Sequence, residues 1–541
     1  MTANNRLLIL LLLPFLIRCA TVGQPSGGDI DEEPPTLVST QPDSFATYFQ
    51  GGRLVYYFDE FFVLEKAEQS VLISPPLSQS PVFSIKKKSL IVDIPDDLKP
   101  NTTYQINFGE SIRDLNESNI LQDFKMVFST GPYIDSLMIS GVVMDAATLE
   151  PMEDISLMLF PDSVDSALIT SLPYYFSRTD EIGHGDLDFL TTGQYQFFAL
   201  EDKNGNYFHD PNEMVAFLDS MVFLPEDTNQ VIQFRMFLPE ADSLIFRGVK
   251  KAGPGHFTFF FNLPVDTFSV DRGISWTDTS QSLIGFNTTR DTIDWYFYPP
   301  PGDDDTGKYL VRFNDQDTSV RVGNFGFRRQ GRDRGLAIRP SAQGGRLELG
   351  ASLFLISNRP ILTFEEDSVV LLEDSIPIDF TIEYANEVRT RLQVRTEFKE
   401  GKEYKIVIPR GTMESIAREE NDSVEFTFQV PLAEEYGNIA TDLILSDSQQ
   451  VIVQLIKNEA VARDRIIQSS QSVSFKLLVP GNYKLQAIID TNENGKWDTG
   501  SLKKRRQPER VIILEPALNV RANWDLLDLQ YTIDLNGPPV N

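Results

Sequence analysis

Residues 101–108 read NTTYQINF, a polar turn followed by Tyr104, Ile106 and Phe108 at every second position. A spacing of two puts those three side chains on one face of an extended chain and Gln105 and Asn107 on the other, the mark of a strand with one wet face. Outward from this stretch the same alternation recurs in Leu54, Tyr56 and Phe58 and in Leu90, Val92 and Ile94. Such strands bury their apolar faces by packing sheet on sheet, so the expected fold is all-β and built from small sandwiches. Helical spacing is scarce: Glu65 to Val71 and Glu459 to Ile467 are the two segments read as short helices.

Composition agrees with strands and turns. The chain has 38 Phe and 17 Tyr against four Trp, with Gly and Pro spread along its length. Its 541 residues exceed what one core serves, so roughly four or five domains of about 100 residues each are expected. With 48 basic and 78 acidic side chains the formal charge is −30, which repels phosphate backbones and excludes nucleic acid as a natural partner.

Sliding the chain along itself reveals two duplications. Leu98, Tyr104, Ile106 and Phe128 recur as Phe398, Tyr404, Ile406 and Phe428, an offset of 300. Gly193, Tyr195, Ala199, Asp202, Asn204, Asn206 and Asp210 recur as Gly481, Tyr483, Ala487, Asp490, Asn492, Asn494 and Asp498, an offset of 288. The chain therefore reads as a pair of modules, a central sandwich and the pair again: 36–131 and 132–235, then 236–340, then 341–432 and 433–541. The central piece alternates in Phe257, Phe259 and Phe261 and in Tyr309, Val311 and Phe313, broken by the acidic loop at 299–307.

Arg6 precedes an apolar run from Leu7 to Ile17, the layout of a secretory signal at 1–18 and too short to span a bilayer. Cys19 is the only cysteine, so no intramolecular disulfide forms and packing must hold each domain. Leu16-Ile17-Arg18-Cys19 resembles a bacterial lipobox, although Arg18 stands where a small residue is usual. That resemblance implies a lipidated Cys19, and acyl chains at about 0.8 kcal/mol per buried CH₂ anchor a protein firmly. Residues 19–35, rich in Gly, Pro, Ser and acid, read as a tether between the lipid and the first module.

Ser26-Gly27-Gly28 with Pro34-Pro35, the segment YYFDEFFVLE at 56–65, LKPNTTYQINFGESIRDLNESN at 98–119 and FSTG at 128–131 together resemble lipoproteins of the Bacteroidota. These carry an Ig-like domain of the S-layer-protein (SbsA-like) type after the lipidated cysteine. ISGVVMDAATLEPMEDISLMLF at 139–160 with GQYQFFALEDKNGNYFHDPNE at 193–213 is similar to transthyretin-like or carboxypeptidase-regulatory-like β domains. The resemblance implies tandem Ig-like and transthyretin-like β-sandwich domains in a non-catalytic outer-membrane protein, on the cell surface or the periplasmic face. Asp followed by Ser, as at Ser136, Ser243 and Ser423, resembles the O-glycosylation acceptor of the same bacteria.

The strongest site candidates are the loops DKNGNYFHDPNE at 202–213 and DTNENGKWDTGS at 490–501. Calcium takes six to eight oxygens, and a twelve-residue loop offers them from side chains at positions 1, 3, 5 and 9, a carbonyl at 7 and a bidentate carboxylate at 12. The first loop has Asp202, Asn204, Asn206 and Asp210, the Phe208 carbonyl, and Glu213 at the twelfth position. The second has Asp490, Asn492, Asn494 and Asp498, the Lys496 carbonyl, Gly495 for the sharp turn, and Ser501 in twelfth place, which predicts weaker binding there. A plain Asn-Gly hairpin would also need polar residues, but not four matched ones in both copies. With Kd of roughly 10⁻⁴–10⁻³ M and about 1 mM calcium, each site would add about 0.4–1.4 kcal/mol, enough to stiffen but not to switch the fold.

Catalysis finds little footing. His184, His209 and His256 fall in separate segments, no phosphate loop or nucleophile elbow occurs, and Asp59-Glu60 and Asp303 to Asp305 read as solvated acids. The expected role is binding or scaffolding at the cell envelope, through a membrane anchor and a protein or glycan partner. A glycan platform would draw on Trp276, Trp295, Trp497 and Trp524, and an accessory subunit of an outer-membrane assembly or transport complex would show an apolar face.

Overall fold

The computed structural model describes residues 31–535 apart from 68–70, 78, 96–97, 123, 162–165, 226–229, 254, 272–280, 299–306, 315, 323–334 and 343. Strands make up 53% of it and helix 2%, so the chain is all-β. Two compact units emerge: the described residues up to Met144 with Pro151–Met236, and Asp145–Glu150 with Phe237 onward.

The alternating segments become the strands of the first module: β1 (Leu37–Gln41), β2 (Gly52–Phe58), β3 (Phe62–Leu64), β4 (Leu72–Ser74), β5 (Val82–Lys86), β6 (Ser89–Ile94), β7 (Thr103–Asn107), β8 (Ile112–Asp114) and β9 (Lys125–Ser129). One sheet runs β1-β2-β6-β5, a second runs β4-β7-β9, and β3 pairs β8, all antiparallel. Every apolar residue read from the alternation in β2, β6 and β7 is buried in one shared core, with Phe108 just beyond β7. Each large side chain buried there contributes about 1.5–3 kcal/mol against the entropy of ordering the chain.

The second module continues with β10 (Leu137–Asp145), β11 (Ser156–Phe160), β12 (Tyr175–Arg178), β13 (His184–Leu190), β14 (Gly193–Leu200), β15 (Val215–Phe217), β16 (Val222–Leu224) and β17 (Gln230–Met236). Its sheets are β13-β10-β17 and β12-β11-β14, with β15 and β16 both on β14. The strand β14 leads straight into the first candidate loop.

In the second unit, Phe257, Phe259 and Phe261 pack with Trp295 and Phe297 inside the central sandwich. The repeat at an offset of 300 is exact in register: Tyr104 stands opposite Phe128, and Tyr404 opposite Phe428. Both ring pairs are stacked, with centroids 5.4 and 5.6 Å apart. In both copies the tyrosine oxygen accepts the main-chain N–H five residues earlier, from Lys99 at 2.9 Å and from Lys399 at 2.8 Å. In the last module the strand Gly481–Ile489 leads into the second candidate loop, and Asp525–Ile533 closes its other sheet parallel to Gly437–Leu445.

The helix expected over Glu459 to Ile467 is a strand instead, Ala460–Ile467, paired with Val451–Lys457. Asn458 and Glu459 both hold positive φ, 49° and 63°, which is a two-residue hairpin turn made without glycine. β-branched Val461, Ile466 and Ile467 then favour the extended chain. Of the other expected helix, Val71 N–H donates to the Ala67 carbonyl as one helical turn would, while 68–70 lie outside the described residues.

Candidate metal loops

Both loops begin with an aspartate at the end of a long buried strand. Asp202 Oδ1 accepts Gly205 N–H (2.9 Å) and Asn206 N–H (3.1 Å), and its Oδ2 accepts Tyr207 N–H (2.9 Å). Asp490 does the same 288 residues on, with Asn494 N–H on Oδ1 (3.2 Å) and Gly495 N–H on Oδ2 (2.7 Å). One carboxylate thus folds each loop back over its own first residue. Positive φ falls at matched places, Gly205 and Tyr207 in one copy, Glu493 and Gly495 in the other. Tyr207 holds this costly left-handed conformation while its half-buried ring meets Phe176 edge-on at 5.1 Å, and burial pushes its hydroxyl up to about 12.

Positions 3, 5 and 9 converge. Asn204 and Asn206 direct their amide nitrogens at one oxygen, Asp210 Oδ2, at 2.7 and 3.0 Å. Asn492 donates to Asp498 Oδ2 at 2.6 Å, and Asn494 donates to the same atom. Phe208 and Lys496, expected to offer carbonyls, also give their N–H groups to Asn206 and Asn494. As drawn, each loop satisfies itself. The donors present are hard oxygens and amides of the kind calcium takes, but each Asn Oδ1 already accepts a main-chain N–H, from Asn206 and Phe208 in one loop and from Asn494 and Lys496 in the other, so an ion at the point of convergence would need the amides and these turns to rearrange together. Among the described residues no three His, Cys, Asp or Glu side chains are gathered as for a metal ion.

The structure changes the reading of the twelfth position. Glu213, almost fully buried, bridges its loop by accepting Lys203 N–H at Oε1 (3.0 Å) and Asp210 N–H at Oε2 (2.9 Å). In the second loop these contacts are made by Glu509 and not by Ser501: Thr491 N–H reaches Oε1 (2.7 Å) and Asp498 N–H reaches Oε2 (3.1 Å). Glu509 is 7% exposed. The offset from Glu213 to Glu509 is 509 − 213 = 296, against 288 for the rest of the loop, so eight extra residues separate Asp498 from its glutamate. The sequence signal was the echo of Glu213-Met214-Val215 in Glu509-Arg510-Val511, confirmed by strands that pair identically, Val215 with Leu200 and Val511 with Ile488. Burial pushes the Glu213 carboxyl upward against two N–H donors. Burial also raises Asp490, but Gln450 and the Gly495 and Asn494 N–H groups outweigh it and hold the carboxyl below its ordinary range.

Elsewhere the candidates scatter. Asp59 is held by Thr36, whose hydroxyl donates at 2.6 Å and lowers the carboxyl, while Glu60 is raised by burial and by Asp114. His256 bonds Asp294 (2.8 Å) and stacks on Tyr296, His184 lies near Asp186, and His209 is held by the Glu213 carbonyl with burial lowering it. Trp295 is core, Trp497 donates to the Glu509 carbonyl, and Trp524 is 52% exposed under Arg521, so they form no common platform. A groove of about 1130 Å³ in the first unit is lined by Leu72, Leu77, Val82, Phe83, Leu172 and Tyr207 among others, and among the described residues no carboxylate or histidine is in its wall. Cys19, Trp276, Asp303 to Asp305 and the acidic loop around them lie outside the described residues.

Residues 31–130 match the family described as a bacterial Ig-like domain. No curated protein matches the chain. Among solved structures it is similar to the major pilin subunit of Bacillus cereus, at 12% identity over 74% of this chain and 99% of that one, with a TM-score of 0.14. It is also similar to the Bacillus anthracis TIE protein (9% identity, 94% and 76% covered, TM-score 0.16) and to the S-layer protein SbsC (11%, 85% and 67%, TM-score 0.13). The chain takes no role from likenesses this distant.

Proposed function

We propose that this chain is a non-catalytic lipoprotein of a bacterial outer membrane, held through Cys19 and exposed at the cell surface or the periplasmic face, that presents or positions a protein or glycan partner. The observation that carries it is the duplicated pair of β modules, each pair holding a loop bridged by a buried glutamate, with no acid or histidine among the described residues of the groove wall. Rigid modules without a reactive cleft hold a binding face at a distance from an anchor. No helix among the described residues is long and apolar enough to cross a membrane. Asp202, Asn204, Asn206, Asp210 and Glu213 would hold one calcium ion, and Asp490, Asn492, Asn494, Asp498 and Glu509 a second. The ion would supply rigidity alone.

The test is expression in a Gram-negative host, with mass analysis of the mature N-terminus and purification from solubilised outer membranes. Diacylated Cys19 and a stoichiometric envelope protein or bound glycan are the expected results. An unmodified chain in the soluble fraction would refute the anchor, and turnover of a substrate would refute the non-catalytic role.

A further inference from the structure

Among the described residues both edges of the sheet β1-β2-β6-β5 lack a further strand: β1 pairs only with β2, and β5, which borders the groove described above, only with β6. Both edges also carry exposed apolar side chains, Leu37 and Val38 (65% exposed) on one and Val82 (64%) and Ile85 on the other. Proteins commonly guard such edges, because unpaired N–H and C=O groups recruit other strands. From these two edges we infer that the first module pairs with a second copy of this chain, β5 of one copy against β1 of the next.

Three features select that partner. Direction is the first: β1, β2, β6 and β5 alternate in sense, so β5 runs opposite to β1, and a copy displaced along the sheet brings its β1 antiparallel to β5 without turning over. Face is the second. Phe83 and Ile85 stand opposite the core residues Val92 and Leu90, and Thr40 and Leu37 opposite the core residues Tyr56 and Phe58. Setting Phe83 against Thr40, and Ile85 against the bulge at Leu37–Val38, keeps the inner faces continuous and places Ser84 opposite Ser39.

Charge is the third. β5 ends in Lys86-Lys87-Lys88, all exposed, although the chain as a whole carries −30. β1 is preceded by Asp31-Glu32-Glu33, also exposed, and Asn119 pins the carbonyls of Asp31 and Glu33 beside the sheet. Among the described residues no ion pair uses Asp31, Glu32, Glu33, Lys86 or Lys87. Antiparallel pairing brings the acidic start of one strand to the basic end of the other. The two opposed edges differ, so the contact is head-to-tail and repeats from copy to copy without closing. Two five-residue edges bury less than the ~1,000 Å² of a stable interface, so the contact is weak in dilute solution and grows with local concentration.

Disulfide trapping tests this in the full chain carrying Cys19→Ser, so that introduced thiols are the only ones. Ser39→Cys and Ser84→Cys are prepared separately, mixed at high concentration and oxidised gently. Random collision gives a mixed dimer about twice as abundant as either homodimer, whereas edge pairing is expected to give at least a ten-fold excess. Lys86→Glu with Lys87→Glu in the Ser84→Cys chain should cut that product at least five-fold, and Asp31→Lys with Glu33→Lys in the Ser39→Cys chain should restore it. A statistical mixture, a mixed dimer indifferent to charge reversal, or thiols that remain unlinked would each overturn the proposal. All four substituted side chains and both serines are exposed, so the variants keep the fold.

Discussion

Replacing Glu509 by alanine tests the bridge that closes the C-terminal loop. Its carboxylate accepts three bonds, from Thr491 N–H (2.7 Å), the Thr491 hydroxyl (2.9 Å) and Asp498 N–H (3.1 Å), in a nearly buried setting. Bonds to a charged acceptor are worth about 1.5–3 kcal/mol each, and water recovers part of this once the side chain is cut back, so Glu509→Ala is expected to cost about 2–4 kcal/mol. Glu509→Gln keeps the shape and one acceptor and should lose about half as much. Ser501→Ala, at the position a fixed twelve-residue spacing would name, gives up only one long bond from Lys504 N–H (3.3 Å) and should lose about 1 kcal/mol or less. A chain of several modules has no single unfolding free energy, so the readout is local: peptide-resolved hydrogen exchange across 490–498, in about 10 mM calcium and in chelator. Calcium is expected to add about 1.4–2.7 kcal/mol of protection in the wild type and none in Glu509→Ala. Equal protection in the Glu509→Ala and Ser501→Ala chains would refute the bridging role.

Asp490 has a lowered carboxyl, so it contributes stability above its unfolded value near 3.8 that is lost as pH falls through the folded value. Hydrogen-exchange protection across 490–498 in Asp490→Asn should therefore lie below wild type at pH 7 and converge with it as the pH falls from 3.8 through the folded value. Glu493→Gly is expected to stabilise by about 1 kcal/mol in thermal melts, since this exposed residue holds φ of 60°. Tyr207→Gly should destabilise instead, because the contact of its half-buried ring with Phe176 outweighs the relief at φ 62°. Phe128→Ala and Phe428→Ala each remove a stacked partner of a buried tyrosine and should cost about 3–5 kcal/mol in their own module, measured by hydrogen exchange, while leaving the other copy unchanged.

Where apolar residues alternate, as in Leu54-Tyr56-Phe58 and Tyr104-Ile106-Phe108, the strand and its buried face were legible at once, because period two admits no other packing. The duplications were legible too, since offsets of 300 and 288 preserve side chains that meet the same partners. Ala460–Ile467 was not: its turn uses Asn458 and Glu459 at positive φ where Asn-Gly would have announced a hairpin. Glu509 was missed because eight residues intervene, and a carboxylate that bridges a loop in space can be supplied from any point along the chain that returns to it. Those extra residues make contacts of their own: Gly500 accepts Glu240 N–H at 2.8 Å, and Arg506 pairs with Glu240 at 3.1 Å.

The matched rings at Tyr104–Phe128 and Tyr404–Phe428 carry a consequence for synthesis. Two sandwiches of like topology can exchange strands while folding. Here the twins are 300 residues apart, and at roughly 5–20 residues per second the second emerges about 15–60 s after the first. An antiparallel sandwich folds in milliseconds to seconds, so the earlier copy has sealed its core before a rival strand exists.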